Sequence, residues 1–258
     1  HKLEEIRRVA DRCAILRRGK LVDVRDVPGM DAREMAALMV GHEVQLTAEK
    51  TPAKIGDPVL EVKDLIVENE EHYPVVNGVS FTVHRGEIFS IAGVSGNGQT
   101  EIADAVAGLT KIKSGSVTML GQDITSLNVR KRTLTGISYI PEDRQAVGLI
   151  LDFTLKDNLG LKDYYREPFE KNGFLQQDAF AENAEKLIDR YDIRSASGGD
   201  TMVRSMSGGN QQKAIIGREI EQDADLCICV QPTRGLDIGA IENIHRQILA
   251  ERDKGKAV

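Results

Sequence analysis

One short segment, Ser207-Gly208-Gly209-Asn210-Gln211, has the residue types of an anion-binding helix terminus. Ser207 can cap a following helix with its hydroxyl, and the two glycines let a ligand approach the backbone closely. A helical stretch follows, from Gln211 to Ile220. Because the unpaired N–H groups and the positive end of the helix dipole both favour negative charge, the segment predicts a phosphate contact.

A glycine-rich loop upstream is a second candidate phosphate site. It fits the phosphate-loop pattern G-x-x-x-x-G-K-[ST] at every defined position except the lysine, which is replaced by Gln99. Thr100 keeps the hydroxyl that would contact Mg²⁺, whereas Gln99 donates hydrogen bonds without charge. We therefore expect weakened nucleotide binding, and a glycine turn with no ligand is the alternative. The assigned residues are Gly93, Val94, Ser95, Gly96, Asn97, Gly98, Gln99, Thr100 and Glu101.

The apolar run Leu226–Val230 predicts a buried strand whose end delivers residues to a site. Val230 has no lone pair for a metal ion, and Gln231 cannot accept a proton at neutral pH. Loss of a general base alone lowers a rate by ~10²–10⁴. The end of this strand therefore supplies neither a carboxylate ligand nor a general base.

Together these three segments resemble the signature motif, the Walker A loop and the Walker B strand of the ATP-binding-cassette (ABC) ATPases. The resemblance covers nearly the whole chain and implies a P-loop α/β fold with a RecA-like core, an antiparallel β subdomain and an α-helical subdomain. It implies an Asp and a Glu where Val230 and Gln231 stand here, so the resemblance predicts no intact catalytic residue for hydrolysis at this chain's own phosphate loop. It also implies that Ser207, Gly208, Gly209, Asn210 and Gln211 contact the ATP held by an opposite cassette.

The resemblance assigns roles to four further residues. Tyr73 takes the position of an aromatic that stacks on adenine, with an ordinary edge-strand tyrosine as the alternative. Glu142 takes the place of the Q-loop glutamine and is assigned to the nucleotide-binding site, with coupling to a membrane subunit or a solvated turn both open for its loop. Asp237 belongs to the D-loop. His1 resembles the switch histidine of a preceding cassette, and an exposed terminus or tag remnant is the alternative.

The motif spellings are most similar to the two-cassette importer ATPases. Gly96–Glu101, Ser207–Lys213 and Gln231–Asp237 favour the nucleoside importers that work with a basic-membrane-lipoprotein-type binding protein. A ribose- or galactoside-type sugar importer and a nucleotide-free scaffold cassette are the alternatives. The resemblance implies ATP and Mg²⁺, weak or absent in this chain's own site. It also implies a first cassette, transmembrane permease subunits, indirectly a solute-binding protein, and a place at the cytoplasmic face of the membrane.

Alternating strands and helices are predicted to position these motifs. A helix follows Asp31, and a polar linker runs from Gly41 to Pro58. The predicted strands are Arg12–Leu16, Lys20–Val24, Val59–Leu65, Val79–Val83, Glu87–Ala92 and Leu226–Val230. The predicted helices are Lys2–Ala10, Thr100–Ala107 and Ala240–Arg252, and helical periodicity dominates from Leu155 to Arg190.

We interpret residues 1–45 as the end of a first cassette and residues 46–58 as a linker. Residues 59–258 are interpreted as a second cassette truncated at its C-terminus, with its helical subdomain at about 149–204. The net charge of −6 disfavours nucleic-acid binding, and no apolar run approaches the ~18 residues of a membrane span. Cys227 and Cys229 should share one face of their strand, as buried thiols rather than as a metal or redox site.

Overall fold

The computed structural model describes residues 3–17, 19–41, 50–236 and 238–258. Two compact units are present, one of residues 1–51 and 233–249 and one of residues 52–232 and 250–258. The helices are α1 (Leu3–Val9), α2 (Ala32–Val40), α3 (Gln99–Ala107), α4 (Val129–Leu134), α5 (Leu155–Gly160), α6 (Gln177–Arg190), α7 (Gly208–Ile220) and α8 (Ile238–Asp253). The strands are β1 (Arg12–Arg17), β2 (Lys20–Asp26), β3 (Pro58–Glu68), β4 (Pro74–His84), β5 (Ser114–Met119), β6 (Gln122–Asp123), β7 (Ile137–Ile140), β8 (Glu170–Lys171), β9 (Phe174–Leu175) and β10 (Leu226–Cys229).

In the first unit, β1 and β2 form an antiparallel hairpin, as predicted. Helix α2 begins after Asp31, which takes the N-cap position without a side-chain hydrogen bond. The apolar core of this unit comprises Leu3, Ile15, Val27, Met30, Met35 and Ala36. Residues 42–49 of the predicted linker lie outside the described residues, and Pro58 is already the first residue of β3.

An antiparallel sheet of order β4-β3-β5-β6 starts the second unit. Strand β3 contributes Val59, Leu60, Val62, Leu65 and Val67 to the apolar core of this unit, and α3 packs against the strand. Register irregularities next to Leu60 and between Val62 and Leu65 interrupt the regular alternation of β3. This sheet is the antiparallel subdomain that the sequence predicted, and both of its long strands run further than the alternating segments indicated.

The parallel part of the second unit brings two strand ends together. Strands β7 and β10 pair in parallel, with Leu226 opposite Ile137 and Cys229 opposite Ile140. Ala257 continues the parallel pairing on the other side of β10 by a bridge to Leu226. Because parallel strands end at the same edge, the residues that follow β7 and β10 lie side by side.

The sequence predicted a strand over Glu87–Ala92, and this prediction is wrong. Two backbone hydrogen bonds join Glu87 and Phe89 to Val258, at 3.0 and 2.8 Å. Among the described residues the ladder extends no further, so Ser90–Ala92 lack the regular pairing that defines a strand.

The helical part of the second unit is not one continuous periodic stretch. A short hairpin, β8–β9, lies between α5 and α6. Phe169, just before that hairpin, stacks edge-on against Phe180 of α6 with ring centroids 5.0 Å apart.

Nowhere in the described part of the chain does a helix have the length and apolarity to cross a membrane.

Candidate nucleotide-binding site and signature helix

The loop Gly93–Thr100 enters α3 through glycines that the backbone requires. Gly98 has a φ of 96°, and a β-carbon there would lie 2.6 Å from the carbonyl oxygen of Val75. Only glycine fits a left-handed residue that approaches a neighbouring backbone this closely. Helix α3 begins at Gln99, one residue before the predicted start. The loop thus has the backbone form on which a phosphate site depends.

Gln99 folds back over its own loop. Its Nε2 donates a hydrogen bond to the Val94 carbonyl at 3.2 Å, and a β-carbon at Gly93 would overlap the same amide nitrogen. The side chain therefore closes the beginning of the loop. Since it carries no charge, it supplies no cation to a phosphate.

Thr100, Glu142 and Gln231 converge beside this loop. The Thr100 hydroxyl donates to Glu142 Oε2 at 3.3 Å, and Gln231 Nε2 donates to Glu142 Oε1 at 3.0 Å. Thr100 belongs to α3, Glu142 follows β7, and Gln231 follows β10. Gln231 has a φ of 46°, a left-handed conformation that is costly for a residue with a β-carbon. The three side chains form one polar cluster with Glu142 at its centre.

Val230 lies at the end of the β10 ladder. Its N–H donates to the Ile140 carbonyl at 2.9 Å, and its side chain is buried. Cys227 and Cys229 lie on one face of β10, as predicted, with sulfur atoms 3.6 Å apart. In the described residues no group of three or more His, Cys, Asp or Glu side chains could hold a metal ion. Val230 and Gln231, at the end of β10, bear no carboxylate.

Two other predicted site residues, Tyr73 and Glu101, lie at the starts of β4 and α3. Tyr73 immediately precedes β4 and is 67% exposed, and its N–H donates to Asn69 Oδ1 at 2.9 Å. Glu101 lies in the first turn of α3. An exposed ring at the start of β4 is free to meet a planar ligand, and stacking by Tyr73 stays a prediction.

The predicted signature segment forms the first turn of α7 instead of preceding the helix. Ser207 is the N-cap residue, but the prediction that its hydroxyl caps the backbone is wrong. The Ser207 hydroxyl instead accepts a hydrogen bond from Asn210 Nδ2 at 2.9 Å, because the amide competes with the backbone donors for that oxygen. Asn210 Oδ1 accepts in turn from the Arg194 N–H at 2.9 Å. The N–H groups at the start of α7 are thereby left to other acceptors.

The two glycines of the segment have different surroundings. A β-carbon at Gly209 would meet open space, whereas one at Gly208 would lie 3.2 Å from Arg144 Nη2. A guanidinium group thus stands next to the helix N-terminus. Gln211 is buried, donates to the Val203 carbonyl at 3.0 Å and accepts from Gln145 Nε2 at 3.1 Å.

Comparison with known proteins identifies the family. A family model described as "ABC transporter" matches residues 76–234. The chain belongs to the ABC transporter family. It is 46% identical over 258 residues to a nucleoside import ATP-binding protein, NupA, of Lactococcus lactis subsp. cremoris, covering 100% of this chain and 51% of that protein.

Two more relatives and one solved structure are also similar to this chain. A guanosine import ATP-binding protein, NupO, of Bacillus subtilis is 45% identical over 97% of this chain and 49% of its own length. A ribose import ATP-binding protein, RbsA, of Corynebacterium glutamicum is 34% identical over 100% of this chain and 48% of its own length. A nucleotide-free ATP-binding cassette from an ABC transporter superposes with a TM-score of 0.63 at 21% identity, over 78% of this chain and 79% of that one.

The ABC cassette fold is therefore shown, with the P-loop, the α/β content and the antiparallel sheet that the sequence predicted. The chain spans about half the length of the curated relatives it matches. Asp237, the predicted D-loop residue, and His1, the predicted switch histidine, lie outside the described residues.

A buried charged network in this ABC cassette was missed by sequence reasoning. Glu219 of α7 is fully buried, and it accepts from Lys162 Nζ at 2.5 Å, Arg218 Nε at 3.0 Å and the Tyr139 N–H at 3.1 Å. Burial raises the pKa of Glu219, but Lys162 and Arg218 outweigh burial and hold that pKa below its ordinary value. The sequence signal was a charged pair, Arg218–Glu219, inside the otherwise apolar stretch from Ala214 to Ile220.

The same network joins α7 to the segment after Glu142. Arg218 Nη2 donates to the Gly148 carbonyl at 2.9 Å, at the end of the π-helical turn Arg144–Gly148. Near the other end of α7, Gln211 contacts Gln145 of the same turn. The predicted Q-loop region and the signature helix are thus one hydrogen-bonded assembly.

Proposed function

We propose that this chain is an ATP-binding part of an importer for nucleosides, working beside the first cassette of the same protein. The observation that carries the proposal is the first turn of α7, where Gly208, the open Gly209 and Arg144 present N–H groups and positive charge to an anion. The similarity to nucleoside and guanosine import proteins supports the cargo class. A sugar importer is the second candidate, supported by the similarity to the ribose import protein.

The chain's own loop has the groups to bind a nucleotide and not those to hydrolyse one. Backbone N–H groups of the glycine loop suit phosphate oxygens, and the Thr100 hydroxyl suits Mg²⁺, which would polarise the phosphate it contacts. Gln231 offers an amide where proton abstraction requires a base, and its Nε2 is engaged with Glu142. Gln99 lacks the charge that stabilises a transferring phosphoryl group. We therefore propose slow or no turnover here.

The chain would then contribute to hydrolysis in trans, at the ATP site of the opposite cassette. Ser207, Gly208 and Gly209 at the start of α7 would donate to the terminal phosphate of ATP held by the opposite cassette. Asn210 and Gln211 hold that turn in place through Arg194 and Gln145. Charge developing on the transferring group is stabilised by donors that are already oriented.

The proposed arrangement assigns the rest of the assembly. Residues 1–45 would be the end of the first cassette, 46–58 a linker and 59–258 the second cassette with its helical part at about 149–204. Membrane permease subunits, and indirectly a solute-binding protein, would be the partners at the cytoplasmic face of the membrane. A nucleotide-free scaffold that only donates its signature is the alternative favoured by the closed position of Gln99.

Replacing Ser207 with Arg in the full-length two-cassette protein tests the role in trans. Loss of one preorganised donor costs about 10²–10³ in rate, and the bulky cation also blocks the approach to α7, so steady-state ATPase activity should fall at least that far. Ser205→Arg is the matched control, since Ser205 is exposed, lies two residues away and donates to the Met202 carbonyl. Wild-type turnover in the Ser207→Arg protein would overturn the proposal.

A further inference from the structure

We infer that Cys227 and Cys229 form a two-thiolate binding site for a soft divalent cation such as Zn²⁺ or Cd²⁺. The inference goes beyond the proposed function and does not depend on it. Its starting observation is that the two sulfur atoms lie 3.6 Å apart on one face of β10. The sequence alone favoured buried thiols without a metal ion, and it could not supply this distance.

The two thiol side chains converge although their positions on the strand are well separated. A strand rises about 3.3 Å per residue, so the β-carbons of residues two apart on one face are about 6.6 Å from each other. The sulfur atoms are only 3.6 Å apart. This difference is more than one carbon–sulfur bond can span, so both side chains lean towards each other. The pair is therefore already arranged to bind one atom from two sides.

A direct bond between the two sulfur atoms fits this strand poorly. Disulfides usually join α-carbons about 5.5–6 Å apart, whereas residues two apart in a strand have α-carbons about 6.6 Å apart. Strand β10 is also paired on both sides, because Cys229 lies opposite Ile140 of β7 and the Cys227 N–H donates to the Ala257 carbonyl at 2.9 Å. Contraction of β10 would break this pairing, so an atom between the sulfurs suits the structure better.

A tetrahedral cation matches the observed sulfur separation. With metal–sulfur bonds of about 2.3 Å, two thiolates on one tetrahedral ion lie about 3.8 Å apart, and two thiolates on a linear ion lie about 4.6 Å apart. The observed 3.6 Å is close to the tetrahedral value. Thiolates select soft ions, and d¹⁰ ions such as Zn²⁺ adopt tetrahedral coordination readily.

The site would be an open one with two protein ligands. The described residues contain no group of three or more His, Cys, Asp or Glu side chains that could complete a cage, so water would fill the other positions. Cys227 is buried and Cys229 is half-buried, so a cation would reach Cys229 first. Because the thiolate is the ligand, binding displaces thiol protons to solvent.

The test is titration of the fully reduced chain with Cd²⁺, followed by the ultraviolet charge-transfer absorption of cadmium–thiolate bonds. Wild type should bind one ion per chain, and calorimetry with Zn²⁺ in two buffers of different protonation enthalpy should show proton release. Loss of a partner behind a metal ligand lowers affinity 10–100-fold, so loss of a ligand itself in Cys227→Ala or Cys229→Ala should weaken binding at least about tenfold. Cys13→Ala is the matched control, because Cys13 is a half-buried thiol in the β1–β2 hairpin, and it should keep wild-type affinity.

Cys229→Ala, at the half-buried position, keeps the test decisive if Cys227→Ala does not fold. Absence of the charge-transfer signal in wild type, or wild-type affinity in Cys229→Ala, overturns the inference. Air oxidation without metal supplies a second check. Loss of both thiols within a single chain, with a mass lower by two hydrogens, would show that β10 accepts a direct sulfur–sulfur bond and would overturn the geometric argument.

Discussion

Glu219→Gln should destabilise this cassette far more than an ordinary surface substitution. The carboxylate has no exposed surface, and it is the shared partner of Lys162 and Arg218. Glutamine has the same shape but directs one amide donor at a cation. The substitution therefore leaves the two positive charges without the negative charge between them.

The structure sets the size of the effect. Removing one partner of a buried pair costs about 3–5 kcal/mol. The Lys162 side chain is 25% exposed and can turn to water, whereas Arg218 is 5% exposed and keeps the carbonyls of Gly148 and Asn158. Both facts favour the lower end of this range, so we expect the free energy of unfolding to fall by about 3 kcal/mol. That loss lowers the ratio of folded to unfolded chain roughly a hundredfold. At a urea slope of about 3 kcal/mol/M the midpoint would fall by about 1 M.

Urea unfolding followed by far-UV circular dichroism measures this loss, since the chain has no tryptophan to report by fluorescence. Glu61→Gln is the control, because Glu61 pairs with Lys63 on the surface at 3.0 Å and such pairs contribute less than about 1 kcal/mol. If Glu219→Gln lowers the free energy of unfolding no more than Glu61→Gln does, the buried network has been misjudged.

Three further predictions follow from the structure. Gln99→Lys should tighten ATP binding about tenfold in calorimetry, because a charge-assisted hydrogen bond contributes ~1.5–3 kcal/mol against ~1 for a neutral one; unchanged affinity would show that this side chain does not reach phosphate. Gly160→Ala should cost about 1–3 kcal/mol in urea unfolding, since its β-carbon would lie 2.5 Å from Phe180 Cε1; a stabilised variant would contradict the packing. Because folding lowers the pKa of Glu219 from its ordinary value of 4.5, the carboxylate stabilises the folded chain above pH 4.5. The difference in free energy of unfolding between wild type and Glu219→Gln should therefore narrow as the pH falls from 4.5 towards the lowered pKa; a constant difference would contradict the pairing.

The elements that sequence predicted best are those fixed by local chemistry. Helix α3 needs only a glycine turn and an apolar face, and it was placed to within one residue. Strand β10 is an uninterrupted apolar run, and it was placed equally well. The segment Glu87–Ala92 is also mostly apolar, but it does not form a strand, because strand structure depends on partners elsewhere in the chain.

The candidate site likewise has parts that depend on local sequence and parts that depend on contacts between distant residues. The glycine loop could be located from spacing alone, since backbone geometry dictates its residue types, whereas α7 begins at Gly208, three residues before the predicted start at Gln211. The contact of Glu142 with Thr100 joins residues 42 positions apart, and that of Lys162 with Glu219 joins residues 57 positions apart. No local pattern encodes such distances, so the role of Glu142 in the cluster and the burial of Glu219 emerged only from the fold.

The π-helical turn Arg144–Gly148 is hydrogen-bonded to α7 near both ends of the helix. Gln145 engages Gln211 near one end of the helix, and the Gly148 carbonyl engages Arg218 near the other. Helix α7 has 13 residues and is therefore about 20 Å long. A displacement of the turn would therefore be shared by both ends of α7, including the end that carries Gly208 and Gly209.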